Sequence, residues 1–223
     1  MKKTLRRLSL VMIATALVFT GCKKDQEEEN NGGNGGGTST VKPEYVDLGL
    51  PSGTKWATFN VGATTPEEYG NYYAWGEITT KNEYSHENSV TYRESMTDIS
   101  GNATYDVARA NWGGSWRMPT RTEMEELKDN CTWTWTTQNG VNGMKVTGTN
   151  GNSIFLPAAG RYEDSRRDLD GECGIYWGST PDQTSNFEAI MISFGKDIAF
   201  NADYFRVEWS FRYYGHPVRP VLK

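Results

Sequence analysis

The chain is poor in the side chains that usually carry chemistry. It holds two histidines and three cysteines among 223 residues. With only His86 and His216, a three-histidine zinc site is excluded and a Ser-His-Asp arrangement has few options. A G-x-S-x-G nucleophile elbow and a phosphate-cradling glycine loop are both missing. Ser193-Phe194-Gly195-Lys196 has S-x-x-K spacing, but it falls at an expected strand-to-turn transition instead of a helix start, so it reads as coincidence. Positive charge is also short. Lys and Arg number 23 against 28 Asp and Glu, a net charge of −5, and nucleic acid needs a basic footprint. Long helical periodicities are rare, whereas Gly (24 residues), Trp (8) and Tyr (12) are plentiful, which points to strands and loops.

No apolar run reaches the ~20 residues that span a bilayer, but Leu8–Phe19 is continuous apart from small Ser9 and Thr15. Basic Met1–Arg7 precedes it and Thr20-Gly21-Cys22 closes it, the pattern of a secretory signal at residues 1–21. The junction resembles a bacterial lipobox, with Phe19 in place of the usual Leu. That resemblance implies cleavage before Cys22 and acylation of its thiol. Lys23–Glu29 (KKDQEEE) resembles the export tag of surface lipoproteins of the Bacteroidetes. Asn30–Thr40 is rich in Gly, Asn, Ser and Thr and cannot bury apolar area, so residues 22–40 read as a lipidated tether. Residues 41–223 then form one domain long enough to bury a core. Cys131 and Cys173 are left; an oxidising envelope compartment permits a disulfide, two separate thiols are the alternative, and spacing does not decide.

Tyr45–Leu50 and Lys55–Val61 alternate about Pro51-Ser52-Gly53, an antiparallel hairpin. Asn71–Glu77 is a further strand candidate, and Thr79–Asn102 is a polar loop without period. A short helix is expected near Tyr105–Asn111. The clearest helix is Thr120–Asn130, preceded by Pro119 and opened by the Thr120/Glu123 capping box. Thr132–Thr137 is a strand with Trp133 and Trp135 on one face, followed by a turn at Gln138–Gly143. Met144–Thr147 pairs with Ser153–Leu156 across Gly148–Asn152. Gly160–Gly174 is a second polar loop. Ala189–Phe194 is a strand, Gly195-Lys196 a turn, and Asp197–Phe200 follows.

Five ordered motifs carry a family resemblance: Tyr45–Trp56 (YVDLGLPSGTKW), Trp116–Pro119 (WRMP), Ser153–Gly160 (SIFLPAAG), Tyr176–Thr180 (YWGST) and Val218–Val221 (VRPV). Together they resemble the Fibrobacter succinogenes major paralogous (FISUMP) domain over nearly all of residues 41–223. The resemblance implies an α+β, C-type-lectin-like fold: a mainly antiparallel β core, one or two short helices, adjacent terminal strands and a long irregular binding face. No established reaction comes with the family. Related formylglycine-generating enzymes need reactive or copper-binding cysteines, in contexts unlike those of Cys131 and Cys173.

Asp164, Asp168, Asp170 and Glu172 crowd one loop, but Arg166 and Arg167 sit among them and no EF-hand spacing is present, so the loop reads as solvated instead of calcium-binding. Trp56, Trp75, Trp112, Trp116, Trp133 and Trp135 read mostly as core. Asn201–His216 differs. It mixes rings with Arg, Asp and Asn, a composition that binding surfaces favour, the alternative being an edge strand plus loop. The expected ligand-binding residues are Arg161, Tyr162, Trp177, Tyr204, Arg206, Trp209, Tyr213 and Tyr214. The chain is therefore expected to be an outer-membrane lipoprotein, lipid-anchored through Cys22 and facing the cell exterior. Its domain is expected to bind a glycan or a surface protein, without catalysis, cofactor, metal or nucleic acid. A structural subunit of a surface assembly is the alternative, and an envelope enzyme is disfavoured by the missing constellation.

Overall fold

The computed structural model describes residues 42–197 and 202–223; the expected signal peptide, Cys22 and the tether lie outside these. The first hairpin forms as expected, β1 (Tyr45–Asp47) antiparallel to β2 (Lys55–Ala57). Gly53 at φ +74° closes the turn by donating its N–H to the Leu50 carbonyl at 2.9 Å. Strand β2 ends earlier than the alternation through Val61 suggests. The Arg219 guanidinium claims the Ala57 and Thr58 carbonyls, and Val61 N–H turns to the Val218 carbonyl.

Asn71–Glu77 is not a strand: it holds a single bridge, Tyr73 to His216, and Gly76 at φ +74° turns the chain away. Thr79–Asn102 is irregular, as expected. Helix α1 (Val107–Trp112) begins where the Asp106 carboxylate accepts from the Ala108 and Arg109 N–H groups. Helix α2 (Arg121–Asn130) has both halves of the Thr120/Glu123 capping box, and it buries Met124 and Leu127. Burial would raise the Glu123 pKa, but its bonds from Arg117 and from the Thr120 N–H outweigh this and hold it at about 2.

Strands β3 (Thr132–Gln138), β4 (Val141–Thr147) and β5 (Ser153–Pro157) form a meander. The first turn is tighter than expected. Asn139 (φ +48°) and Gly140 (φ +82°) alone connect β3 to β4, a two-residue turn whose twist matches the strands. The expected polar loop Gly160–Gly174 contains a hairpin, β6 (Arg161–Glu163) with β7 (Arg166–Asp168).

Three longer strands follow: β8 (Cys173–Pro181), β9 (Glu188–Asp197) and β10 (Ala202–Phe211), in the order β10-β9-β8. Gly195-Lys196 is not a turn. Strand β9 runs straight through it, and Gly195 lies opposite Cys173 on one side and Tyr204 on the other. A Cβ there would stand 2.9 Å from the Tyr204 hydroxyl, so the glycine makes room for that ring. The expected segment Asp197–Phe200 lies, beyond Asp197, outside the described residues. Finally β11 (Val221–Leu222) pairs with β2, bringing the two ends of the domain together.

Strands β8 and β9 of this sheet are buried on both faces. On one, Tyr176, Ile190, Ile192 and Phe194 meet Met124 and Leu127 of α2 and Trp133, Met144 and Val146 of the meander. On the other, Ile175, Trp177, Ala189 and Met191 meet Val61, Trp75, Ile99, Val107 and Met118. Each buried Val, Leu, Ile, Phe or Met among these contributes about 1.5–3 kcal/mol. The architecture is α+β: mainly antiparallel sheets with two short helices. Cys131 and Cys173 do not pair, and burial pushes both thiols up to about 11. No helix among the described residues is long and apolar enough to cross a membrane.

Candidate functional site

Where β10 ends, the side chains keep alternating. Arg212 points inward and is buried, while Phe211 and Tyr213 point out and stack on each other, with ring centroids 5.5 Å apart and planes 9° apart. Tyr214 follows within 4.6 Å of Tyr213, and its N–H closes a turn onto the Phe211 carbonyl.

The floor is Arg212. Its guanidinium stacks on Trp75 at 4.6 Å and donates to the carbonyls of Glu188 (3.0 Å), Thr91 (3.1 Å) and Glu94 (2.8 Å). It thereby fixes a bend of the long loop beneath the exposed rings. That bend delivers Tyr92, whose ring lies 5.3 Å from Tyr213 and 5.2 Å from Phe187. Arg93 next to it sits at φ +71°, a left-handed conformation costing on the order of 1–3 kcal/mol in a non-glycine residue. Two bonds with Asn186 hold it there, Arg93 N–H to the Asn186 carbonyl and Asn186 Nδ2 to the Arg93 carbonyl. Its guanidinium lies 5.6 Å from the Tyr92 centroid and 5.9 Å from that of Phe187. His86 completes the series, 6.0 Å from Tyr92 and 6.1 Å from Tyr213. Phe187 and Phe211 remain 38% and 39% exposed.

Charges rim the rings. Arg161 lies 4.4 Å over Tyr214 and pairs with Glu163 at 2.9 Å. The Tyr214 hydroxyl donates to the other Glu163 oxygen at 3.2 Å. Burial, then the neighbouring Tyr213 hydroxyl, pushes the Tyr214 pKa up, so Tyr214 stays a protonated donor. Backbone bonds in both directions between Tyr162 and Gly215 (2.8 and 2.9 Å) pin β6 beside this cluster.

The expected ligand-binding residues divide. Arg161, Tyr213 and Tyr214 come together. Tyr162 lies beside them, but its half-buried ring packs between Tyr72 (4.9 Å) and Tyr84 (5.5 Å). Tyr204 and Arg206 lie farther along β10. Tyr204 lines a cleft of about 330 Å³ with Trp135, Leu169, Glu172, Cys173 and Lys196, and Arg206 covers its ring at 5.2 Å. Trp209 is on the opposite face of the strand, against the α2-side core and 5.3 Å from Arg121. Trp177 is a correction. It is 0% exposed, donates to the Tyr73 carbonyl at 2.8 Å and packs 4.2 Å from His216, so no ligand reaches it.

Other constellations are structural. Ser210 Oγ lies 3.0 Å from His216 Nε2, but both are sealed and His216 Nδ1 meets the Gly215 carbonyl instead of a carboxylate. Burial, then the Arg161 charge, lowers the His216 pKa to about 3, which makes it a poor base. Ser193 and Lys196 stand on opposite faces of β9, as strand periodicity requires of residues three apart. In the acidic loop, Arg167 pairs with Asp170 at 2.8 Å and Arg166 with Asp168 at 4.0 Å. No group of three potential metal ligands occurs among the described residues.

Sequence reasoning missed Tyr92, Arg93, Phe187, Phe211 and His86. The available signal was an aromatic residue inside a polar, aperiodic stretch, as at Tyr92 (SVTYRES) and Phe187 (QTSNFE). No protein family, no curated protein and no solved structure matches this chain.

Proposed function

We propose that this chain is a surface-exposed lipoprotein, anchored in the outer membrane through Cys22, whose FISUMP-type, C-type-lectin-like domain binds an extracellular glycan without catalysis. The aromatic patch around Tyr213 carries this reading. A pyranose offers apolar C–H faces and a rim of hydroxyls. Aromatic faces are electron-rich and lose little conformational entropy when they engage, so a fixed row of rings suits C–H stacking. Tyr92, Phe187, Phe211 and Tyr213 supply the row. Arg161, Glu163, Arg93 and His86 stand where hydroxyls would need donors and acceptors.

The C-type-lectin-like reading draws support from the joined terminal strands, the two short helices ahead of the long strands, and the irregular segment Thr79–Asn102 that supplies His86, Tyr92 and Arg93 to the patch. The test is a glycan array with the full chain in mild detergent, run beside Tyr213→Ala and Tyr92→Ala. Saturable, sugar-specific binding is expected, with each alanine costing roughly 5–30-fold in affinity, as central aromatic contacts commonly do. A blank array with folded protein would sink the glycan reading. Capture of a defined surface protein that survives both substitutions would remove the patch from the account altogether.

A further inference from the structure

We propose that two copies of this chain pair edge to edge through β10, making one continuous six-stranded antiparallel sheet about a twofold axis at Val207. This stands apart from the glycan reading, because it uses the strand edge and meets the aromatic patch only at Phe211, the last residue of the overlap.

Strand β10 is the outer strand of the order β10-β9-β8. Its ten residues pair with β9 in unbroken register and contain no proline. In an antiparallel ladder alternate residues direct their N–H and C=O away from the partner. Among the described residues, no backbone group of Asp203–Ser210 bonds outward beyond β9. Natural edges of this length are commonly blocked by proline, bulges or charges that repel a second strand. The charges here are Asp203, whose carboxylate accepts from the Trp135 N–H of β3 at 3.0 Å, and Arg206 and Glu208, which are opposite in sign and share the other face.

That choice makes the edge complementary to itself. A twofold axis normal to the sheet pairs residues that share a face, so every allowed register is centred on one residue. Centred on Val207, Arg206 of each copy faces Glu208 of the other, Phe205 faces Trp209, and Tyr204 faces Ser210, with overlap from Asp203 to Phe211. Centring on Arg206 or Glu208 sets like charges against each other. Centring on Phe205 or Trp209 loses both opposite-charge pairs and shortens the overlap. Directly opposed side chains approach to about 5 Å between Cβ atoms, so these pairs would interact.

The groups are accessible. Arg206 and Asp203 are exposed, and Phe205 is 37% exposed although it stacks on Trp133 at 5.3 Å. Glu208 accepts from Ser193 through one oxygen at 2.5 Å, and a carboxylate has acceptor sites to spare.

The test is sedimentation velocity of the full chain in detergent over a range of concentrations. The wild type is expected to dimerise. Arg206→Glu and Glu208→Arg each replace two attractive pairs with two repulsive ones, so each alone should weaken self-association roughly tenfold or more. Mixed in equal amounts they should re-form a dimer, because the two acidic side chains at positions 206 and 208 of one copy then meet the two basic ones of the other. Arg206 is exposed at a strand edge, so Arg206→Glu should melt near wild type, whereas Glu208→Arg also removes the acceptor of the buried Ser193 hydroxyl and should melt somewhat lower. A wild type that stays monomeric at its highest soluble concentration, single variants that associate like wild type, or a mixture that stays monomeric each overturn the proposal.

Discussion

Arg212 and Tyr213 are neighbours with opposite environments. Beneath the patch, an arginine is buried against Trp75 with its guanidinium bonded to three backbone carbonyls. Above it, Phe211, Tyr213, Tyr92 and Phe187 hold one another but face water. Charge inside and rings outside reverse the usual distribution. The inversion separates two jobs. The buried cation fixes backbone from distant parts of the chain, so the rings above are free of structural duty. A second buried arginine, Arg219, shows the first job alone. It donates to Asn60 and to the carbonyls of Ala57, Thr58 and Phe155, and no ring of the patch rests on those groups.

The sharpest way to break the comparison is to remove each arginine in turn. Arg219→Met and Arg212→Met both leave several buried carbonyls without donors, and each is expected to cost about 3–5 kcal/mol in urea unfolding. Lysine will not rescue either, since one ammonium cannot reproduce a planar fork aimed at carbonyls on separate segments. The two variants should then part. Below its melting temperature Arg219→Met should keep wild-type ligand affinity, whereas Arg212→Met frees the Thr91–Glu94 bend and should lose it. Equal binding by both would mean that Arg212 does not position the patch.

A smaller effect follows from His216, which lies against Trp177 and Ser210 with the Arg161 charge and the Tyr214 ring near it. Its pKa falls from 6.5 to about 3 on folding, burial being the main cause. Between those values the unfolded chain holds a proton that the folded chain lacks, so stability drops as pH falls below 6.5 and is flat above it. The slope is about 1.4 kcal/mol per pH unit at most. Glu123, depressed to about 2 by Arg117 and Thr120 against the effect of its burial, adds to the loss only below its ordinary value near 4.5. Unfolding free energies of wild type and His216→Gln from pH 7 to 5 isolate the histidine. A wild-type slope that persists in the variant would assign it elsewhere.

What the sequence disclosed follows the range of the forces involved. Helix α2 was legible because its start is encoded within four residues, Thr120 to Glu123, and the β4–β5 hairpin because its turn lies between two apolar runs. Strand β10 was not, since one of its faces carries Phe205, Val207 and Trp209 toward the core while the other mixes Tyr204, Arg206 and Glu208. Gly195 looked like a turn because its missing side chain serves a ring nine residues later. The patch was half legible. Tyr213 and Tyr214 stood in a segment with binding composition, but the residue that brings Tyr92 to them does so across a separation of 121 positions, from Arg212 to Thr91. No local pattern records that contact.

The finest test concerns the rings themselves. If the patch is free of structural duty, truncating its half-buried tyrosines should barely move stability even though aromatic residues are removed. Tyr213→Ala and Tyr92→Ala lose edge-to-face contacts with each other, each pair worth about 0.5–1.5 kcal/mol when well buried and less in water. Each single variant is therefore expected to unfold within about 0.5 kcal/mol of wild type, the ordinary range for surface substitutions. The sealed Trp177→Ala supplies the contrast at about 3–5 kcal/mol, because it opens a cavity and strands the Tyr73 carbonyl that its indole N–H now satisfies. A loss above 2 kcal/mol for Tyr213→Ala would mean that its ring bears load for the Arg212 floor, and the division between floor and surface would have to be redrawn to place Tyr213 with the core.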